Sequence, residues 1–156
     1  MTANTLSSQP KQVFGLPIAL IWGYVAIAFF MTGDGIEQAF LSKYIVDLGF
    51  SAQQASLVFT VYGLTVAIAS WLSGVFAELA GPKRIMTWAF MLWILFHIGF
   101  ITLGLQQQNY TMMLIMYGIR GIAYPMFIYG FVVWIAYAAP KQKLASAMGW
   151  FWCMYS

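Results

Sequence analysis

Charge is what this sequence has least of. Seven Lys or Arg and four Asp or Glu are its only charged residues at neutral pH, 7% of 156. Soluble domains carry roughly 25%. So few charges cannot cover a water-facing surface, which excludes a soluble globular domain and an intrinsically disordered chain. They also exclude a nucleic-acid partner, because phosphate binding needs clustered Lys and Arg. The one cysteine, Cys153, excludes an internal disulfide and a disulfide scaffold. The one histidine, His97, has no second His, Cys or carboxylate at ligand spacing, so no metal site is expected and it reads as a packed or hydrogen-bonded core residue. A Ser/His/Asp set, a glycine loop for phosphate and an acid pair with catalytic spacing are all missing, so neither an enzyme nor a cofactor site is expected.

What is present is apolar: 62% of the residues are hydrophobic and 19% aromatic. A helix needs about 20 mostly apolar residues to cross the hydrocarbon core. Four stretches meet that length, at residues 14–40, 52–77, 84–105 and 110–139. They are long and continuous, which fits helices better than the ten-residue alternations of a membrane β-barrel. A fifth apolar segment, residues 143–156, would cover only about 20 Å at 1.5 Å per residue, and reads as the start of a truncated fifth helix. The expected fold is therefore an all-α membrane bundle of four complete transmembrane helices plus the start of a fifth. Residues 1–13 form an N-terminal segment, and residues 14–156 form the incomplete bundle.

Orientation follows from Lys and Arg in the short connectors. Lys11, the pair Lys83 and Arg84, and the pair Lys141 and Lys143 share one side if the spans alternate; the other side has Lys43, offset by Asp47. The N-terminus is expected in the cytoplasm, in a multi-pass protein of the cell (inner) membrane.

Ionisable groups inside a span are functional hypotheses, because burying them costs several kcal/mol unless they are paired or hydrated. Asp34 and Glu37 lie in the first span and Arg120 in the fourth. Asp34, Glu37 and Gln38 share one helix face at i, i+3, i+4. Two readings of the acids stay open: a polar outer end of the span, or a buried site. Asp34 and Arg120 fall at overlapping depths, so an ion pair between them is expected, either structural or functional. Tyr117, Tyr124 and Phe127 share the face of Arg120, and aromatic faces beside a few polar groups suit a polyol or sugar. Chance also produces such stripes in so aromatic a chain. Pro125 cannot donate its backbone hydrogen bond and is expected to kink the fourth span. In the second span Gly63, Ala67, Ser70 and Gly74 make a small-residue stripe that permits close helix packing.

The connector Gly74-Val75-Phe76-Ala77-Glu78-Leu79-Ala80-Gly81-Pro82-Lys83-Arg84 resembles the loop between helices two and three of the major facilitator superfamily. The match lies at Gly74, Ala77, Glu78, Gly81, Lys83 and Arg84; Leu79 and Pro82 stand where the family usually has basic residues. Arg120-Gly121 resembles the superfamily's helix-four motif. Gly33-Asp34-Gly35, the run from Phe40 to Tyr44, the run from Tyr117 to Gly121 with Tyr124 and Pro125, and the run from Ala147 to Trp152 are similar to the polyol permeases of ribitol and arabitol. The resemblance implies twelve helices in two six-helix halves, of which this chain supplies the N-terminal part. It implies proton-coupled uptake of a polyol or sugar by alternating access. Asp34, Glu37, Gln38, Arg120, Tyr117 and Tyr124 would serve the proton and the substrate, and Gly74, Glu78, Gly81, Lys83 and Arg84 the conformational loop. The implied partners are the polyol, the proton, the bilayer and a missing C-terminal half, without which no transport is expected. A non-transporting remnant and a small four-helix interaction protein remain the alternatives.

Overall fold

The computed structural model describes residues 12–13 and 16–156. A two-residue hairpin, β1 (Gln12–Val13) with β2 (Leu16–Pro17), precedes five helices: α1 (Ile18–Asp47), α2 (Ala52–Ala80), α3 (Pro82–Gly99), α4 (Tyr110–Ala138) and α5 (Leu144–Tyr155). A π-helical segment, Phe100–Leu105, extends α3, and a single 3-10 turn, Lys141–Lys143, precedes α5. Four of these helices are long and apolar enough to cross a membrane.

The helix ends follow local chemistry. Pro17, extended at φ −57° and ψ 134°, stands directly before α1, and the proline ring favours this place ahead of a first turn. That puts the helix start at Ile18, later than expected from hydropathy. The far end is also displaced: α1 continues past residue 40 to Asp47, where Lys43 and Asp47 pair at i, i+4 across 2.6 Å and Gly49 takes φ +100°. Ser51 and Gln54 form a reciprocal capping box at the start of α2. Asn109 caps α4 by accepting from the Met112 amide.

The expected connector at residues 78–84 shrinks to one residue. Gly81, at φ +86°, ends α2 and begins α3, with Pro82 as the first residue of α3. Only glycine takes that φ without strain.

The burial pattern is inverted relative to a water-soluble protein. Trp22, Phe29, Trp71, Leu79 and Trp88 are exposed, while Asp34, Ser73 and Arg120 are buried. An apolar exterior around a few buried polar groups is what lipid requires.

Two apolar cores stack along the bundle. One joins Leu20, Ile27 and Phe30 to Phe127, Phe131, Ile135 and Phe151. The other joins Leu41 and Ile45 to Ala55, Val58, Phe100, Met113 and Tyr117. On α1, α3 and α4 alike, a short stretch between the cores is left for polar residues. Helix α4 holds the bundle together, packing on α2 and on α3.

Close approach of α2 and α4 depends on glycines of α4. A Cβ at Gly118 would lie 2.9 Å from Val61, and one at Gly121 would meet Thr65 and lie 2.8 Å from the Tyr62 carbonyl. Thr65 Oγ1 lies 2.7 Å from the Gly118 carbonyl across this interface. The small-residue stripe expected to pack α2 does not do so here: a Cβ at Gly63 or Gly74 meets nothing within 4 Å. Helix α4 runs unbroken through Pro125.

Candidate functional site

The stretch between the two cores holds one charge cluster. Arg120 is its centre, with a side chain 0% exposed. Its Nη1 donates to Glu37 at 2.7 Å and 2.9 Å to the two carboxylate oxygens. Its Nη2 donates to Asp34 Oδ1 at 3.3 Å. Asp34 is 2% exposed, and Gln38 Nε2 donates to its second oxygen at 2.5 Å. The i, i+3, i+4 spacing on α1 thus becomes a single polar face turned towards α4. Glu37 is not merely the polar end of a span, because it makes the shorter contact with Arg120.

The positions within the helices explain the meeting. With α1 reaching Asp47, Asp34 lies about 20 Å from that helix end, at about 1.5 Å per residue. Arg120 lies about 15 Å from the start of α4 at the same rise. Both side chains are buried within the bundle, so neither charge reaches a polar surface. Pairing with good geometry is the remaining way to carry them.

Helix α3 contributes a member that its sequence did not reveal. His97 Nδ1 stands 2.7 Å from Arg120 Nη1 and 3.7 Å from Glu37 Oε2. Its ring stacks on Trp93 at 4.8 Å and 11°. The residue expected to be packed or hydrogen-bonded in the core has its hydrogen bond on Arg120, within the charge cluster. No local spacing could show this, since the partners come from three different helices.

Aromatic faces enclose the guanidinium. Its carbon lies 4.5 Å from the Tyr117 ring centroid, 4.8 Å from Trp93 and 5.7 Å from Tyr62. Such contacts are worth about 2 kcal/mol or more when desolvated. Tyr124 shares the face but not the cluster's bonds: its hydroxyl lies 3.1 Å from that of Tyr155 on α5. Phe127 packs on Phe30 at 4.8 Å.

Four buried polar atoms around Arg120 have no hydrogen-bond partner among the described residues: Tyr62 Oη, Tyr117 Oη, Trp93 Nε1 and Arg120 Nε. Buried polar groups are normally satisfied, so a concentration of unsatisfied ones calls for an explanation. A cavity of about 420 Å³ reaches the cluster between α1 and α3, lined by Glu37, His97, Trp93, Gly33, Ile36 and Phe100 among others. Among the described residues, no group of three or more His, Cys, Asp or Glu side chains could hold a metal ion.

The loop residues stand apart from this cluster. Glu78, Lys83 and Arg84 are exposed, and none forms a salt bridge with another described residue. Lys83 Nζ lies 4.7 Å from the Trp134 ring centroid. Gly81 makes the turn, and Gly74 meets no neighbour.

The model of the Major Facilitator Superfamily matches residues 12–156. The chain is 53% identical to the ribitol transporter of Klebsiella pneumoniae over 151 residues, 97% of this chain and 35% of that protein. It is 52% identical to the D-arabinitol transporter of the same organism over 151 residues, 97% of this chain and 36% of that protein. It is 42% identical to the alpha-ketoglutarate permease of Bacillus subtilis (strain 168) over 142 residues, 91% of this chain and 33% of that protein. The chain thus spans about a third of the length of these relatives. No solved structure matches it.

Proposed function

Since the chain belongs to the major facilitator superfamily, we propose that it forms the N-terminal, proton- and substrate-handling part of a secondary transporter for a polyol or sugar. The observation that carries this reading is the buried Arg120 cluster with its unpartnered Tyr62, Tyr117, Trp93 and Arg120 Nε atoms. A polyol offers hydroxyls that both donate and accept, so it can satisfy tyrosine hydroxyls and N–H groups together. Aromatic faces of Tyr62, Trp93 and Tyr117 suit its C–H groups. The names of the ribitol and D-arabinitol relatives support the same class. A dicarboxylate, the class named by the more distant permease, suits this cluster less well, because Asp34 and Glu37 already neutralise Arg120.

Coupling rests on Asp34. A proton on its carboxylate removes one of the two negative charges that hold Arg120 and frees the guanidinium to change partners. That change biases the bundle between inward and outward access. The partner half completes the substrate cavity, and Glu78, Lys83 and Arg84 of the α2–α3 turn act in the conformational change against it. The N-terminus faces the cytoplasm of an inner membrane, the side that Lys and Arg favour.

The test is to place this segment in the ribitol transporter in place of its matching residues and follow labelled ribitol and D-arabinitol in vesicles. Uptake driven by an inward proton gradient is expected. Asp34→Asn is expected to lose gradient-driven accumulation while keeping exchange of labelled for unlabelled polyol. A membrane-inserted chimera whose uptake ignores the proton gradient would overturn the coupling, and one that binds no polyol would overturn the substrate class.

A further inference from the structure

The cluster is one positive charge short. Asp34 and Glu37 bring two negative charges, Arg120 brings one positive charge, and His97 touches both Glu37 and Arg120. The protonation state of His97 follows from geometry. An arginine side chain has donors only. His97 Nδ1, 2.7 Å from Arg120 Nη1, must therefore be the acceptor, which makes the ring neutral with its proton on Nε2. An imidazolium would set two donors against each other at that distance.

We propose that His97 is a proton-operated latch on Arg120, a reading that rests on the proton-coupled function above. In the neutral state the ring holds the guanidinium by accepting its hydrogen bond. When a proton binds Nδ1, the new N–H bond removes that acceptor and Arg120 is released from His97. The imidazolium turns instead to Glu37 Oε2, already 3.7 Å away, and competes with Arg120 for that carboxylate. The guanidinium keeps all its own protons. The cluster then holds two positive and two negative charges and is neutral within the membrane.

His97 is also placed to receive the proton. It is the most exposed titratable member, at 27%, against 16% for Glu37, 2% for Asp34 and 0% for Arg120. It lines the cavity between α1 and α3. The titratable and charged groups that face it are few: Glu37 from α1 with Asp34 behind it, and Arg120 with Tyr117 from α4. Tyr62 of α2 reaches the cluster on the side of Arg120. Its own helix supplies Trp93, whose stacking fixes the ring plane. Among the described residues no lysine forms a salt bridge with this cluster, and the cation that touches His97 is the one the latch holds.

The composition makes the test clean. The chain has one histidine, and its arginines are Arg84 and Arg120. The full chain, labelled with ¹⁵N in histidine and arginine side chains and held in phospholipid nanodiscs, would be titrated by NMR. Under alkaline conditions the single imidazole is expected as the Nε2–H tautomer with a hydrogen-bonded Nδ1. On acidification the Arg120 guanidinium signals, assigned with Arg84→Lys, are expected to shift in the same step as the imidazole. An Nδ1–H tautomer, or an imidazole that titrates while Arg120 stays unmoved, would overturn the latch.

In the vesicle assay His97→Asn, which keeps an acceptor that cannot be protonated, is expected to lose the pH dependence of uptake. Unchanged pH dependence in that variant overturns the latch as well. If Asp34→Asn leaves gradient-driven accumulation intact, the coupling reading falls, while the titration in nanodiscs still decides the role of His97.

Discussion

Arg120 carries the largest consequences of any single residue. It is fully buried and holds two carboxylates, so removing it leaves Asp34 and Glu37 uncompensated in the membrane. Breaking a buried pair in this way costs about 3–5 kcal/mol. Arg120→Leu is therefore expected to lower the thermal unfolding midpoint of the chain in nanodiscs sharply. Arg120→Lys keeps the charge but cannot reach Asp34, Glu37 and His97 from one rigid fork, and should fall between that variant and the parent. Asp34→Asn leaves the Glu37 contact in place and should be much milder. An Arg120→Leu chain as stable as the parent would show that the ion pairs contribute nothing to folding. Part of this cluster was legible beforehand: Asp34 and Arg120 stood out because charges are rare in such spans. His97 did not, since nothing in a one-dimensional spacing brings the third span to the first and fourth.

Among the elements, the α2–α4 pair separates two kinds of glycine that look alike in sequence. At Gly121 an added Cβ would lie 2.8 Å from the Tyr62 carbonyl, whereas at Gly63 nothing lies within 4 Å. Gly121→Val should force the helices apart and destabilise by about 1–3 kcal/mol, the usual cost of overpacking. Gly63→Ala should be neutral or add up to about 1 kcal/mol through reduced backbone freedom. Denaturant unfolding of both variants in mixed micelles checks the contrast; equal losses would mean that α2 packs through its small-residue stripe after all. The pattern of small residues announced that helices approach closely, but not which helix supplies the contact. The apolar runs placed the starts of α2 and α4 better than the end of α1. Ser51 with Gln54 and Asn109 are strong local signals, whereas α1 extends through Lys43 and Asp47, residues that hydropathy alone assigns to a connector.

For the whole molecule, orientation is the prediction that can be read without any transport. With Cys153 replaced by Ser, a cysteine at Lys83, in the first turn of α3, and one at Gln107, between α3 and α4, lie at opposite ends of the third span. A membrane-impermeant maleimide should label the Lys83→Cys chain only in inside-out vesicles and the Gln107→Cys chain only in intact cells. The reverse pattern would invert the topology, and labelling of both from one side would contradict the alternating spans. The Lys and Arg distribution that decides this is a property of the chain as written, and packing does not alter it.

The sequence by itself determined the solvent, the number of long helices and the family, because each depends on composition, length or short motifs. Too little charge dictates lipid, and about 20 apolar residues dictate a span. The tertiary structure alone decided which polar residues meet. The contacts of Arg120 with Glu37, Asp34 and His97 join three helices far apart in the chain. They exist because two apolar cores, above and below, leave the same layer of α1, α3 and α4 for groups that lipid will not solvate.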